Sequence, residues 1–456
     1  MQTSRTRKIL LAILLSAVCF FVANSALTFL LEPYGSKSEI TWTDYQAAEK
    51  IDTLVVGTSL AHHAIDPAVL DETCGSSSFN MATPNQTLEE SLIGIETAYE
   101  DFGIKRVVIG VSAESLENDD APNPSSAFLR QRGLAKGFGP TVATTVRVLF
   151  EFGAATQDDS LNCLFPWVSN HVEPGVSTVV DNARMKLDGT TVYEAAAANE
   201  VGWVHQGAGY GAVDKVLDYN GDALYQYADA ADLDEKTAEA PELSDARLNT
   251  LAQIFAFCDA HGIELVAIGV PLPTYNVVED GHAYFVEQAE IARVLAENGV
   301  AYYDFNLARS ELFESHPEYF MDALHFNGEG GSQFTRSLGT FLNRLDAGED
   351  VEALFYDEEG FLASVDSVQA IAVRTESLPE GLCVRASALT GPQVEVEYQM
   401  SVRSDDGGWM VARGWSTEPT WLYEGCPKGA VSIRIDARRV GSSEPFERFR
   451  EMTVLY

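Results

Sequence analysis

Short runs of consecutive apolar residues, each followed by a helical pattern, recur from residue 52 onward and constrain the fold more than any other feature. They are Asp52-Thr53-Leu54-Val55-Val56-Gly57, Ser78-Phe79-Asn80-Met81, Arg106-Val107-Val108-Ile109-Gly110-Val111, Ile263 to Val270, and Ala301-Tyr302-Tyr303-Asp304-Phe305. Strands with one wet face alternate apolar and polar residues. Runs without alternation belong to strands covered on both faces, as in a parallel sheet flanked by helices. The intervening stretches carry helix signals. Thr87 and Glu90 have capping-box spacing ahead of Leu88, Leu92, Ile95 and Tyr99. Ser244 precedes Leu248, Leu251, Ile254, Phe255 and Cys258, and Gly262 follows them. Further helices are expected over Tyr284–Asn298 and Gly331–Leu345. An α/β domain is therefore expected over residues 45–346.

Two regions depart from this rhythm. Residues from about 115 to 243 hold Pro122, Pro124, Pro140, Pro166 and Pro174 and are too long for an ordinary loop. They are expected to form an inserted cap, partly helical, over one end of the sheet. Its Ala-rich pieces near Ala195–Ala198 and Ala228–Ala240 are helical or mobile. Its aromatics Trp167, Trp203 and Tyr210 either pack the insertion's own core or offer a stacking platform for sugars. Beyond Asp346 the period becomes two. Val394, Val396, Tyr398, Met400 and Val402 alternate with polar residues, as do Val431, Ile433, Ile435 and Ala437. About seven such strands in residues 364–456 predict an immunoglobulin-like all-β sandwich. Within it, Cys383 and Cys426 are either bridged or two buried thiols. Tyr398, Trp409, Trp421 and Tyr423 are sandwich core or part of a binding module.

The amino terminus sets the compartment. Residues 1–8 form a basic tail with Arg5, Arg7 and Lys8. An apolar run then extends from Ile9 to Leu31, and as a helix it reaches about 34 Å, enough to cross a bilayer. The basic flank predicts a single-pass anchor in the cell membrane, with its amino terminus in the cytoplasm and the later domains outside. A cleaved signal peptide and a lipoprotein at Cys19 are the rival readings. All 68 acidic residues follow this run, against 30 basic residues in the whole chain, for a net charge of -38. Such a surface excludes a nucleic-acid partner, whose phosphates require clustered Lys and Arg. Neither Cys-x-x-Cys nor His-x-x-x-His occurs, so no metal and no cofactor is expected.

Chemistry-bearing residues fall at the strand ends. Ser59 follows Gly57-Thr58 just past the first strand, at the edge where parallel sheets bind ligands. The glycine permits a sharp turn that exposes the hydroxyl; the plainer reading is a serine that caps the next helix. Met321-Asp322-Ala323-Leu324-His325-Phe326-Asn327-Gly328 follows the last strand and precedes the last helix. An imidazole there can take the serine proton, and a carboxylate three residues earlier can orient it. The plainer reading makes Asp322 a loop or cap residue and His325 a surface histidine. His62 and His63 either contact substrate or metal, or are one packed and one solvated. Asp304 either contacts the site or forms a turn.

The order Ser59, Asp322, His325 resembles the SGNH (GDSL-like) hydrolases, more closely their membrane-anchored bacterial branch. That branch includes the lipoteichoic-acid D-alanylation protein DltD and alginate O-acetylation proteins. The likeness covers residues 45–345 apart from most of the insertion. It implies a flavodoxin-like three-layer α/β/α fold, with Ser59 as nucleophile, His325 as base and Asp322 as its orienting acid. It also implies ester or acyl-transfer chemistry beside a membrane-bound acyltransferase. Three departures are visible. Thr58 replaces the Asp of the first block. Asn85, in Thr83-Pro84-Asn85-Gln86, replaces the glycine of the second, so the oxyanion donor falls to Asn85 or Gln86. Gly110-Val111-Ser112-Ala113-Glu114-Ser115 lacks the asparagine of the third. The function expected is acyl transfer or ester hydrolysis on a cell-envelope polymer or glycan. The rival is a catalytically degenerate envelope assembly protein that binds polymer or partner.

Overall fold

β1 (Thr53–Val56) is buried at all four positions, as a strand with parallel partners on both sides requires. It pairs in parallel with β2 (Ser78–Asn80), where Leu54 faces Phe79, and with β3 (Arg106–Gly110), where Val55 faces Val108. The structure is a computed structural model that describes residues 2–117, 165–220, 240–403 and 407–456, with a few isolated positions between 131 and 143. Residues 228–239 of the Ala-rich acidic stretch, Pro122, Pro124 and Cys163 lie outside the described residues. The chain divides into two units. The first is Met1–Gly110, Glu114–Val213 and Leu243–Leu265; the second is Val111–Ala113, Asp214–Glu242 and Val266–Tyr456.

In the first unit, α1 spans Gln2–Leu31, α2 Lys37–Ala47, α3 Ser59–Ala64 and α4 Pro67–Cys74. α5 (Leu88–Phe102) opens on the full Thr87–Glu90 capping box and closes at Gly103 in the left-handed region. A short turn, α6, covers Ala113–Leu116 and straddles the division. The described part of the insertion holds α7 (Pro166–Ser169), α8 (Val176–Leu187) and α9 (Val192–Asn199). It also holds an antiparallel hairpin of β4 (Trp203–Gly207) and β5 (Tyr210–Val213). The hairpin turns through Gly207, Ala208 and Gly209, all at positive φ. Trp203 and Tyr210 are buried, so of the two readings for these rings the insertion core holds, not a stacking platform. α10 (Asp245–His261) is capped by Ser244 and Gly262. Glu264 then donates its amide to the Lys105 carbonyl and pairs with Arg106, which starts β6 (Glu264–Gly269) alongside β3.

In the second unit, β6 continues from Val266. Ile268 accepts from the Val111 amide on one side, and β7 (Tyr302–Asp304) pairs in parallel on the other. α11 (Thr274–Asp280), α12 (His282–Glu297), α13 (Gly328–Asp346) and α14 (Glu358–Ser364) follow the same chain logic. From Ala370 the strands turn antiparallel. One sheet has the order β11-β10-β13-β14 and a second the order β12-β9-β8. Their spans are β8 Ala370–Leu378, β9 Gly381–Leu389, β10 Val396–Arg403, β11 Trp409–Ser416, β12 Thr420–Glu424, β13 Ala430–Arg439 and β14 Arg448–Leu455. Leu382 and Val384 of one sheet share a core with Met400, Ile433 and Ile435 of the other. Each such side chain contributes roughly 1.5–3 kcal/mol through removal from water. Tyr398 belongs to this core, and Trp421 and Tyr423 pack against it. Cys383 and Cys426 are unbridged thiols.

The protein therefore combines a parallel α/β sheet, antiparallel sheets and an apolar amino-terminal helix. The segment Arg7–Leu31 is long and apolar enough to cross a membrane. Its side chains Ile9, Leu14, Phe21 and Val22 are exposed.

Candidate active site

Gly57 ends β1 with φ +138, and a Cβ there would lie 3.1 Å from the Gly110 carbonyl and 3.2 Å from the Ala61 methyl. No residue but glycine suits that backbone. Thr58 follows as the cap of α3, its hydroxyl accepting from the Leu60 amide. Ser59 is therefore the first helical residue and not the cap, which corrects the plainer expectation for it. It is half-buried.

Asn80 braces this turn, and no local sequence pattern marks it. It is fully buried at the end of β2, and its side-chain amide donates to the carbonyls of Ala61, His62 and Ile65. Its Oδ1 accepts from the Ala82 amide. Its backbone amide donates to Ala208, which ties the β4–β5 hairpin to the same point. One side chain thus engages the carbonyls at the carboxyl end of a short helix and ties that end to β2.

Gln86 is a second brace. Its Oε1 accepts from the Gly57 amide at 3.1 Å and from the Ser91 hydroxyl, and its Nε2 donates to the Met81 carbonyl at 2.8 Å. With Nε2 also donating to the Thr83 hydroxyl, the side-chain amide is fully engaged in holding the turn, which leaves it no N–H for a substrate oxyanion. Asn85 differs: it is exposed and stands at φ +54. That is the left-handed conformation glycine takes most readily and asparagine tolerates best among other residues. The backbone thus explains how asparagine occupies a position where a glycine is expected.

In the second unit, Asp322 and His325 sit on a tight loop. The Met321 amide donates to the His325 carbonyl, and the Asn327 amide to Tyr319. Asn327 caps α13 by accepting from Gly330, and its Nδ2 donates to Lys215 and Glu318. Asn276 reaches the Ala323 carbonyl. Inside this frame His325 Nδ1 lies 3.0 and 3.1 Å from the two oxygens of Asp322, whose Oδ1 also accepts the amides of Leu324 and His325. Burial raises the carboxyl pKa, but the His325 ring and the two amides outweigh it and hold the group at about 2. Asp322 is thus both a turn former and an imidazole partner. Ser59 belongs to the first unit and the Asp322–His325 pair to the second.

Other candidates resolve as structural. His62 and His63 are both buried, edge-to-face at 4.9 Å, with His62 Nδ1 3.0 Å from the Ala82 carbonyl; neither is the solvated histidine that was expected. Asp304 is buried and accepts from Tyr284 and from the Asn306 amide, so it is the turn former. Among the described residues no cluster of His, Cys, Asp and Glu is arranged to hold a metal ion. A cavity of about 430 Å³ in the second unit is lined by Phe305, His316, Asp366 and Arg448, and neither Asp322 nor His325 reaches it.

No protein-family model matches the chain, and no curated protein matches it. Solved structures with a similar pattern include a protein described as lipolytic, of the G-D-S-L family, from Desulfitobacterium hafniense. It is 10% identical, with 63% of this chain and 98% of that chain covered and a TM-score of 0.27. A GDSL-like lipase from Bacteroides thetaiotaomicron is 10% identical, with 68% and 98% covered and a TM-score of 0.28. A protein described as an acylhydrolase from Bacteroides fragilis is 10% identical, with 66% and 94% covered and a TM-score of 0.27. Scores this low do not establish a shared fold, so the chemistry rests on the residues themselves.

Proposed function

We propose that the chain is a membrane-anchored, serine-dependent acyltransferase or esterase of SGNH type, acting outside the cell membrane on an envelope glycan or polymer. One observation carries the reading: the Asp322 carboxylate engages His325 Nδ1 and stays ionised down to about pH 2. An acceptor fixed at Nδ1 gives that nitrogen the ring proton and makes Nε2 the basic one. In this proposal Ser59 Oγ attacks an acyl carbonyl, its proton passes to His325 Nε2, and an acyl-enzyme forms as the leaving alcohol takes the proton up. Water then releases the acid, or a sugar hydroxyl accepts the acyl group. In the same proposal the Ser59 amide and an N–H of Asn85 serve as the oxyanion donors.

The same reading makes residues 45–346 a three-layer α/β/α domain and residues 364–456 an immunoglobulin-like module that binds or spaces. It places the amino terminus in the cytoplasm, and a membrane-bound acyltransferase is the partner that delivers the acyl group. The second reading, a degenerate polymer-binding protein, is favoured by residues 110–115, which supply no asparagine donor. A missing oxyanion donor costs about 3 kcal/mol in the barrier.

A fluorophosphonate probe on the full-length chain in detergent separates the two. The expected result is a covalent label on Ser59 that is lost in Ser59→Ala and in His325→Ala. A folded chain that takes no label, or takes it on another serine, overturns the proposal. Mass spectrometry of envelope polymers from cells without the protein identifies the acyl group.

A further inference from the structure

Helix α8 carries an apolar stripe on its outer side. At about 100° per residue, Val176, Val180, Ala183 and Leu187 fall within one narrow sector. Val176 is 84%, Val180 46% and Leu187 73% exposed, unusual for a helix face on a chain this acidic. The adjacent exposed flank has Ser177 and Asp181, with Arg184 at the margin.

The other side of α8 is fastened to the end of α1. Asn182 is buried and donates to the carbonyls of Leu30 and Glu32, while its Oδ1 accepts from the Tyr34 amide. Lys186 donates to the carbonyls of Phe29 and Glu32. These two side chains satisfy carbonyls that the last turn of any helix leaves open, and they place α8 at the level where α1 ends.

Just before α8, Phe165 packs edge-to-face on Phe20 with centroids 5.7 Å apart, and the Trp167 indole donates to Asn24 at 2.8 Å. Asn24 is seven residues before Leu31 and Phe20 eleven, so these contacts lie about 10 and 16 Å down the helix axis. The run from Ile9 to Leu31 reaches about 34 Å against a hydrocarbon core of about 30 Å. Only about 4 Å of α1 can then stand clear of the core. Trp167 therefore lies about 6 Å inside the boundary, the depth to which interfacial segments insert and where Trp concentrates.

We propose that Phe165–Leu187 is a membrane-docking element. α8 lies in the interface of the bilayer that α1 crosses, with Val176, Val180 and Leu187 against phospholipid and Phe165 and Trp167 dipped into the same leaflet. This holds the catalytic or binding unit at a fixed height over the lipid instead of on a loose tether. It depends on α1 spanning the membrane and not on the chemistry at Ser59.

The test places p-benzoylphenylalanine at 176, 180 or 187, and at 177 or 181 as controls. The full-length chain is reconstituted in nanodiscs of phosphatidylcholine and phosphatidylglycerol in equal parts. After irradiation, intact mass should show single-phospholipid adducts several-fold more abundant at the three apolar positions than at the two polar ones. Equal yields at all five positions overturn the proposal, as do protein–protein crosslinks in place of lipid adducts. A thermal melt of each variant confirms that the fold is retained. Alkaline carbonate extraction of wild-type membranes tests the anchor by itself: a chain that stays in the membrane yet gives no adduct excess refutes only the docking.

Discussion

Asp322 holds His325 at two points, the ring Nδ1 at 3.0 Å and the backbone amide at 2.8 Å. A carboxylate only accepts, so the arrangement selects the tautomer with the proton on Nδ1. Asparagine at this position would offer an N–H and favour the opposite tautomer. Asp322→Asn should therefore fold and yet lower ester turnover by roughly 10³–10⁴-fold, as in other serine–histidine–carboxylate sites. Turnover of a p-nitrophenyl ester within a few-fold of wild type would remove Asp322 from the mechanism.

The same carboxyl predicts a pH dependence. Its folded pKa of about 2 lies below the ordinary 3.8. A lowered pKa means that the unfolded chain binds more protons in this window. The stability contributed is then complete above about pH 4 and lost as pH falls toward 2. Urea midpoints of wild type and Asp322→Ala should differ at pH 5 and converge near pH 2. An acid limb of activity above pH 3 belongs to another group.

Gly57 should be intolerant of any side chain. At φ +138, with the Gly110 carbonyl 3.1 Å from a new Cβ, Gly57→Ala combines backbone strain with a contact against main chain that has little room to move. Strain of this kind costs of order 1–3 kcal/mol. Because Thr58 and Ser59 follow directly, labelling of Ser59 by a fluorophosphonate should fall by more than the loss of folded protein explains. Chemical denaturation alongside labelling separates the two effects.

How far the sequence shows these things depends on the range of the interactions. The Thr87–Glu90 box and the Ser244 and Gly262 caps are local, and each appears in the structure at those residues. The Asp322–His325 contact spans three residues and was equally visible. Asn80 was not, because its acceptors are carbonyls of residues 61, 62 and 65, which only the folded β2–α3 junction presents to it. Gln86 looked like a candidate donor to substrate because nothing local shows that Gly57, 29 residues earlier, engages it. The β4–β5 hairpin was hidden for a related reason. Gly207-Ala208-Gly209 is a turn signal, but its strands are short, and of their residues only Trp203, Tyr210, Gly211 and Val213 are buried. His62 and His63 were expected to divide between core and solvent, but Ala61, His62, His63 and Ala64 are all buried, so this turn of α3 presents no side to solvent.

Asn80 yields a prediction that separates positioning from chemistry. Asn80→Leu keeps the volume but removes the donor to the carbonyls of Ala61, His62 and Ile65 and the acceptor of the Ala82 amide. An unsatisfied buried group costs about 1–3 kcal/mol. Asn80→Asp restores an acceptor for Ala82 but cannot donate to Ala61, His62 and Ile65. Both variants should lower the urea midpoint and slow labelling of Ser59, with the onset of the pH–rate profile unchanged. A shifted profile would mean that Asn80 acts on the titrating group itself.

Asp304 gives a pH signature of opposite sign to that of Asp322. Complete burial raises its carboxyl pKa, and donation from Tyr284 and Asn306 only partly offsets this. Here the folded chain binds more protons than the unfolded one above the ordinary carboxylate pKa, so stability declines as pH rises through the interval up to the raised value. Asp304→Asn keeps one oxygen to accept from the Asn306 amide and turns an N–H toward the Tyr284 hydroxyl, which can accept it, and it has no charge to bury. The variant should be relatively more stable at neutral pH than at pH 4, and its urea midpoint should lack the decline seen in wild type. Because the hydrogen bonds of Asp304 run to Tyr284 and Asn306, ester turnover per folded molecule should be unchanged. A fall in turnover without a change in stability would instead tie Asp304 to the reaction.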